Sequence, residues 1–144
     1  PFSESTPIRP PNCSTMLCRG LQVLNVYFGG TLRQHIEGHS QIDGVDRLHA
    51  INTAPCLLRE LYGTRCMVNS AHHQAVITPV DGFHAIQWAP DGVLEAMIHD
   101  TRPIIGLQWH PERMCLSHRR ADTVDGLPIF DYFLKVIRGE EMVY

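Results

Sequence analysis

The stretch that most constrains the fold of this chain is Gly106-Leu107-Gln108-Trp109-His110-Pro111-Glu112. With Ile104 and Ile105 ahead of it, it carries the backbone through an apolar run that reads as a buried strand. Pro111 has no N–H to give to a ladder, so the strand stops there or lies at an edge. His110 then stands at a strand end, where loops gather and chemistry is usually done. With Glu112 two positions on, it has the makings of a general base and its orienting partner. Such a pair gains catalytic meaning only beside a nucleophile, which the rest of the chain must supply.

Cys18 is the best candidate. It precedes Arg19-Gly20 and a helical pattern in which Leu21, Leu24 and Phe28 fall at i, i+3 and i+7, widened by Val23, Val26 and Tyr27. A helix apolar on so many sides is expected to be well buried, and Gly29-Gly30 ends it. A thiol at the helix start feels the positive end of the dipole, which favours the thiolate. The Cys-x-Gly junction also permits a sharp elbow, in which the backbone N–H of Arg19 faces a developing oxyanion. The plainer reading of any one cysteine is a small buried apolar residue, and Cys13, Cys56, Cys66 and Cys115 have no context beyond that. Pairing separates Cys18 from them. A cysteine at a helix start, far in sequence from a His-Pro-Glu at a strand end, is the arrangement of a Cys-His-acid triad.

The remaining chain mixes strands and helices, which points to α/β architecture. Residues 13–18 make a poor strand at best, and the prolines at 1, 7, 10 and 11 mark 1–12 as an irregular lead-in. From Thr31 to Asn52 the chain is polar and rich in Gly and His, and reads as a long surface excursion. Leu57, Leu58, Leu61 and Tyr62, closed by Gly63, suggest a short helix, and Cys66-Met67-Val68 a short strand. Phe83–Trp88 and Val93–His99 are expected strands joined by Ala89-Pro90-Asp91-Gly92, a turn whose Pro sets φ and whose Gly accepts positive φ. Ile129, Phe130, Phe133, Leu134 and Ile137 mark an amphipathic closing helix with Lys135 and Arg138 near its C-terminal end.

Composition narrows the classes. At 144 residues the expectation is one domain, and 44% hydrophobic with 19% charged residues is ordinary for a globular protein. A net charge of −3 with scattered basic residues gives no nucleic-acid footprint. No apolar run approaches membrane-spanning length. Five cysteines, an odd number without a Cys-x-x-Cys pair, argue against a disulfide framework and for a reducing compartment. Nine histidines invite a metal hypothesis. His35 and His39 have i, i+4 spacing, but Gly38 and the polar context argue against a helix, so no metal site is expected. His72-His73 are adjacent and point apart, which suits a pocket wall. His118-Arg119-Arg120 reads as a solvated surface run, and Trp88 and Trp109 as core.

Four ordered blocks now carry a resemblance. They are Cys18 to Val26 followed by Gly29-Gly30-Thr31-Leu32, Val68 to Val76, Ala89 to Ala96, and Gly106 to Glu112. Together they resemble the class I glutamine amidotransferase-like hydrolases, and more narrowly the γ-glutamyl-γ-aminobutyrate hydrolase family of peptidase C26 type. The resemblance implies a three-layer α/β/α sandwich with the elbow at the top of a central sheet. It implies Cys18, His110 and Glu112 as triad, no metal or organic cofactor, and Gln22 with Asn69, Ser70, His72 and His73 near the γ-glutamyl group of a small substrate. It further implies hydrolysis of γ-glutamyl amides through a thioester on Cys18, in cytoplasmic nitrogen or polyamine catabolism. Two other readings stay open: a glutaminase subunit that passes ammonia to a synthase, and a truncated, self-associating remnant without activity. The chain departs from the family pattern at Met16, where the family usually has Gly, and at Ala71, where it tends to place an aromatic residue. It also lacks the N-terminal portion that precedes the elbow in the family. On that reading the domain is partial, and a homo-oligomer is the expected cover for its open sheet edges.

Overall fold

The computed structural model describes residues 14–140, so the lead-in over 1–12 and Cys13 lie outside the described residues. Six strands form one mixed sheet: β1 (Ser14–Leu17), β2 (Arg47–Thr53), β3 (Arg65–Ser70), β4 (Phe83–Trp88), β5 (Leu94–His99) and β6 (Ile104–Leu107). Their order across the sheet is β1-β6-β5-β4-β2-β3. Only β1 and β6 run parallel, in the register Met16↔Gly106 and Leu17↔Leu107. The other pairs are antiparallel. The weak strand expected before Cys18 thus exists because β6 supplies its ladder, and local propensity has little part in it.

Alternation along β5 and β6 sends side chains to two covered faces. Ala96, Ile98, Ile105 and Leu107 join Trp109 and the helices α2 (Leu57–Tyr62) and α3 (Leu127–Ile137) in one core. Met97 and Ile104 turn the other way and pack with Leu21 and Leu24 of α1 (Arg19–Tyr27). Helices on both faces of a sheet make the α/β/α layering that the sequence implied. In α3 the buried residues Ile129, Tyr132, Phe133 and Val136 recur at helical spacing, so one stripe meets the sheet and the rest faces out. Gly63 ends α2 at φ 82°, a left-handed position suited to glycine.

Two expectations need correction. The elbow helix α1 is buried on one face only: Leu21, Gln22, Leu24 and Asn25 are covered, whereas Val23, Val26 and Tyr27 are exposed, Tyr27 at 82%. The sheet shields the side that meets Gly106, and among the described residues nothing packs on the other. The polar excursion from Thr31 to Asn52 is not all surface either. Its second half is β2, paired with β3 from Arg47↔Ser70 to Asn52↔Arg65, and within its first half His39 is only 2% exposed. Regular alternation was hidden there because the inward side chains include histidine as well as isoleucine. Among the described residues no helix is long and apolar enough to cross a membrane.

Candidate active site

The parallel pairing of β1 with β6 does the first part of the positioning. Parallel strands end at the same edge of a sheet, so the residue after β1 and the residues after β6 arrive together. Cys18 follows β1 directly, and its N–H donates to the carbonyl of Leu107 at 2.6 Å, tying the turn to the end of β6. The Cys18 backbone has φ 47° and ψ −103°. A non-glycine residue held at positive φ is strained, and here the strain marks a sharp strand-to-helix elbow. Close packing of α1 on β6 completes it: a Cβ at Gly106 would lie 3.0 Å from Cγ of Leu21. Met16, the departure from the family pattern, fits because Gly20 stands opposite, where an added Cβ would come within 3.1 Å of the Met16 Cβ.

His110 is 8% exposed and its Nδ1 lies 2.6 Å from Oε1 of Glu112. Nε2 is therefore the nitrogen left for the thiol; it is buried and has no hydrogen bond. Burial works against the charged imidazole, but the Cys18 thiol and the Glu112 carboxylate together carry its pKa up to about 9. At neutral pH the imidazolium form is favoured. Burial likewise opposes the Glu112 charge, yet the bond to His110 keeps that carboxyl below its usual range. The main chain of His110 is held independently. Its N–H donates to Oδ1 of Asn69 at 2.9 Å, and its carbonyl accepts from Nδ2 of Asn69 at 3.2 Å. Gly126, just ahead of α3, lies against the turn after His110, where any Cβ would overlap the Pro111 carbonyl.

The other residues singled out from sequence divide. Arg19 opens α1, so its N–H is one of the first-turn donors without an intrahelical acceptor. Gln22 is buried and donates to the carbonyl of Gln74 at 2.7 Å and to Oε1 of Gln108 at 3.2 Å. With Arg19 and Gln74 it forms the polar side of a cavity of about 450 Å³ beside the elbow, whose apolar side is Val23, Val26, Tyr27 and Leu32. Asn69 is fully engaged, on His110 and on Oδ2 of Asp46 at 3.0 Å. Ser70 is buried and donates to the carbonyl of His39 at 2.9 Å. His72 turns inward toward Glu95, 3.7 Å away, while His73 is exposed and stacks on His35. The two histidines do point apart, but only one of them faces solvent.

Sequence reasoning passed over Gln108. It is wholly buried, and its Nε2 donates to Sγ of Cys18 at 3.5 Å, which links the thiol through Gln108 to Gln22. The available signal was an amide inside an otherwise apolar strand, since a buried amide must find partners. Also missed was the grouping of His39, set aside above with His35, with His49 and Glu95, whose nitrogen and oxygen atoms gather within 4.8 Å of one another. No signal in the spacing unites them, because they come from three separate segments.

A model of the family described as Peptidase C26 matches residues 15–112. Protein NtpR of Enterococcus hirae is 35% identical over 132 residues, which is 83% of this chain and 53% of NtpR. A subunit of the glutamine-hydrolysing GMP synthase of Methanothrix thermoacetophila is 29% identical over 125 residues, covering 85% of this chain and 61% of that one. Among solved structures, a candidate GMP synthase subunit from Thermoplasma acidophilum superposes with a TM-score of 0.68 at 19% identity, over 87% of this chain and 57% of that one. The chain thus spans little more than half the length of these relatives. The matched region begins in the elbow strand and ends on Glu112, and the chain belongs to the peptidase C26 family of class I glutamine amidotransferase-like proteins.

Proposed function

We propose that this chain is a cysteine amidohydrolase that cleaves the γ-glutamyl amide bond of a small substrate, such as γ-glutamyl-γ-aminobutyrate. What supports the reading most is that the parallel pairing of β1 with β6 brings Cys18 and His110 to one edge of the sheet, with Nδ1 of His110 on Glu112 and Nε2 left without a hydrogen bond. In the first half-reaction the thiolate of Cys18 attacks the amide carbon. The C–N bond breaks, and the imidazolium of His110 gives its proton to the departing amine. In the second, neutral His110 takes a proton from water as the water oxygen attacks the thioester. Glutamate leaves, and the thiolate–imidazolium pair is restored. The backbone N–H of Arg19 and the amide of Gln108 are the donors nearest the reacting centre. Gln22 lines the adjoining cavity, where a γ-glutamyl head group would seat. No metal or organic cofactor enters these steps. The free thiols at Cys56, Cys66 and Cys115 suit a reducing, cytoplasmic setting.

Likeness to the GMP synthase subunit of Methanothrix thermoacetophila favours a second reading, in which the substrate is glutamine and the ammonia passes to a synthase. The same assay tests both. Glutamate release is followed with γ-glutamyl-γ-aminobutyrate and with glutamine, for the wild type and for Cys18→Ala. Release from the former alone supports the hydrolase. Release from glutamine that needs an added synthase supports the latter. Equal rates for wild type and variant reject both and leave a non-catalytic, self-associating chain.

A further inference from the structure

We propose that His39, His49, His72 and Glu95 form a binding site for a divalent metal ion of the zinc type, separate from the Cys18 centre. Three imidazole nitrogens converge on one carboxylate oxygen. Oε1 of Glu95 lies 3.3 Å from Nδ1 of His39, 3.2 Å from Nε2 of His49 and 3.7 Å from Nε2 of His72. Bonds of about 2.0–2.1 Å to a tetrahedral zinc ion set its donors about 3.3 Å apart. The distances from His39 and His49 to Oε1 match that edge, while the donor atoms of His39, His49 and Glu95 spread over as much as 4.8 Å, so a bound ion would draw the two rings slightly inward.

Hydrogen bonding on the outer side of the cluster points the same way. Nδ1 of His72 lies 2.9 Å from the carbonyl of Gln74, and a carbonyl can only accept, so that nitrogen carries a proton. That leaves Nε2 of His72, 3.7 Å from Oε1 of Glu95, as the nitrogen free to act as a ligand. His39 has the matching arrangement, with Nε2 on Oδ2 of Asp91 at 2.9 Å and Nδ1 turned inward. An imidazole whose outer N–H is fixed by a carboxylate or a backbone carbonyl is the usual condition of a metal-bound histidine. On the inner side, Nε2 of His49, Nε2 of His72 and both oxygens of Glu95 are buried without a hydrogen-bond partner. Glu95 is wholly enclosed, and unpaired polar atoms at such depth are costly unless something charged sits among them. A divalent cation would satisfy Oε1 of Glu95 and the inward nitrogens of His49 and His72 together.

The four donors come from separate pieces of chain: His39 from the irregular segment before β2, His49 from β2, His72 from the turn after β3, and Glu95 from β5. His39, His49 and Glu95 form the tight group, and if His72, 3.7 Å from Oε1, closes in as the fourth donor, no position stays open and the ion is structural. It would staple the irregular segment before β2, adding to the backbone bonds that tie Arg33 to Ala75, Ile36 to His73 and His39 to His72. It would also steady the end of β3, which carries the Asn69 that holds His110. The rival occupant is a proton, with the imidazoles charged around Glu95 and no ion present.

The test uses the full chain carrying Cys18→Ser, which removes the thiol near His110 as a competing ligand. The protein is stripped with a chelator and titrated with Zn2+ by calorimetry, with thermal unfolding and visible Co2+ absorption as further readouts. The expected result is one equivalent of Zn2+ per chain, a Tm that falls on stripping and returns on reloading, and a tetrahedral Co2+ spectrum. His49→Ala removes the donor nearest the surface and should weaken Zn2+ affinity by more than the roughly 10- to 100-fold that losing an outer partner costs. Glu95→Gln should do the same, and His35→Ala, an exposed histidine, should change nothing. If Glu95→Gln fails to fold, His49→Ala decides. Absence of binding in the folded Cys18→Ser chain, or one-equivalent binding of undiminished affinity in His49→Ala, overturns the proposal.

Discussion

Two histidine–carboxylate arrangements lie in this molecule, joined through β3, and they differ in how the carboxylate is enclosed. At His110 a single imidazole sits between a thiol and Glu112, a carboxylate with 43% of its side chain exposed. At Glu95 the carboxylate is completely buried and three imidazoles surround it. A half-exposed carboxylate can orient one ring and balance a transient positive charge while leaving the opposite nitrogen to trade a proton. An enclosed carboxylate cannot lose its partners without stranding a charge in low dielectric, so it holds segments together instead. The same residue types thus suit transfer in one place and fixation in the other under the two proposals, and burial of the acid separates them.

The largest expected effect is at the thiol. Cys18→Ala should lower glutamate release by roughly three orders of magnitude or more, and His110→Ala by a similar factor. The double variant should be scarcely worse than either, because residues of one catalytic unit act together. Additive losses in steady-state kinetics would break the assignment of His110 to Cys18.

Next comes stability. Glu95→Ala should cost about 3–5 kcal/mol in urea unfolding, since it removes the buried group on which three inward-facing imidazoles converge. Glu112→Ala should cost no more than about 1 kcal/mol, because water screens its partly exposed pair. Equal costs would remove the contrast between the two sites.

Asn69→Ala sharpens the link between them. Removing the amide strands the N–H and carbonyl of His110 and should destabilise the fold by about 1–3 kcal/mol. It should also lower kcat about tenfold or more while KM changes little, because the base is misplaced and the substrate pocket is not touched.

The smallest effect is in pH dependence. The folded pKa of His110 is raised from 6.5 to about 9, so its stabilising contribution is complete below about pH 6.5 and is lost as pH rises through 9. The unfolding midpoint of the wild type should approach that of His110→Ala across that window. The rate profile should show an alkaline limb near pH 9, and Glu112→Gln should move that limb downward by removing one of the two groups that raise the pKa.

The elements that meet at the Cys18–His110 corner were legible in the sequence because their signals are local. Pro111 and the apolar run before it fix a strand end, and Cys18-Arg19-Gly20 ahead of a periodic segment fixes a helix start. What could not be read was the role of polar residues inside the sheet. Asn69 and Ser70 were expected near the substrate, but their side chains bond to His110 and His39, and nothing in a six-residue strand says which neighbour will lie opposite. His39 was weighed against His35 because i, i+4 spacing is visible in one dimension. Its actual neighbours, His49, His72 and Glu95, lie 10, 33 and 56 positions away. The full apolar girth of α1 was legible too, but only the side that meets Gly106 is covered among the described residues.

By itself the sequence determined the elements and the chemistry available at their ends: a thiol at a helix start, an imidazole and a carboxylate after a strand, and the glycines that permit close approach. Tertiary structure alone decided that β1 would pair parallel with β6 and not with another strand. That one choice sets Cys18 and His110 at a common edge, and it is a property of register across some 90 intervening residues that no local propensity encodes. The folded chain likewise decided which carboxylate is enclosed and which meets water, because burial belongs to the packed arrangement and to no single residue.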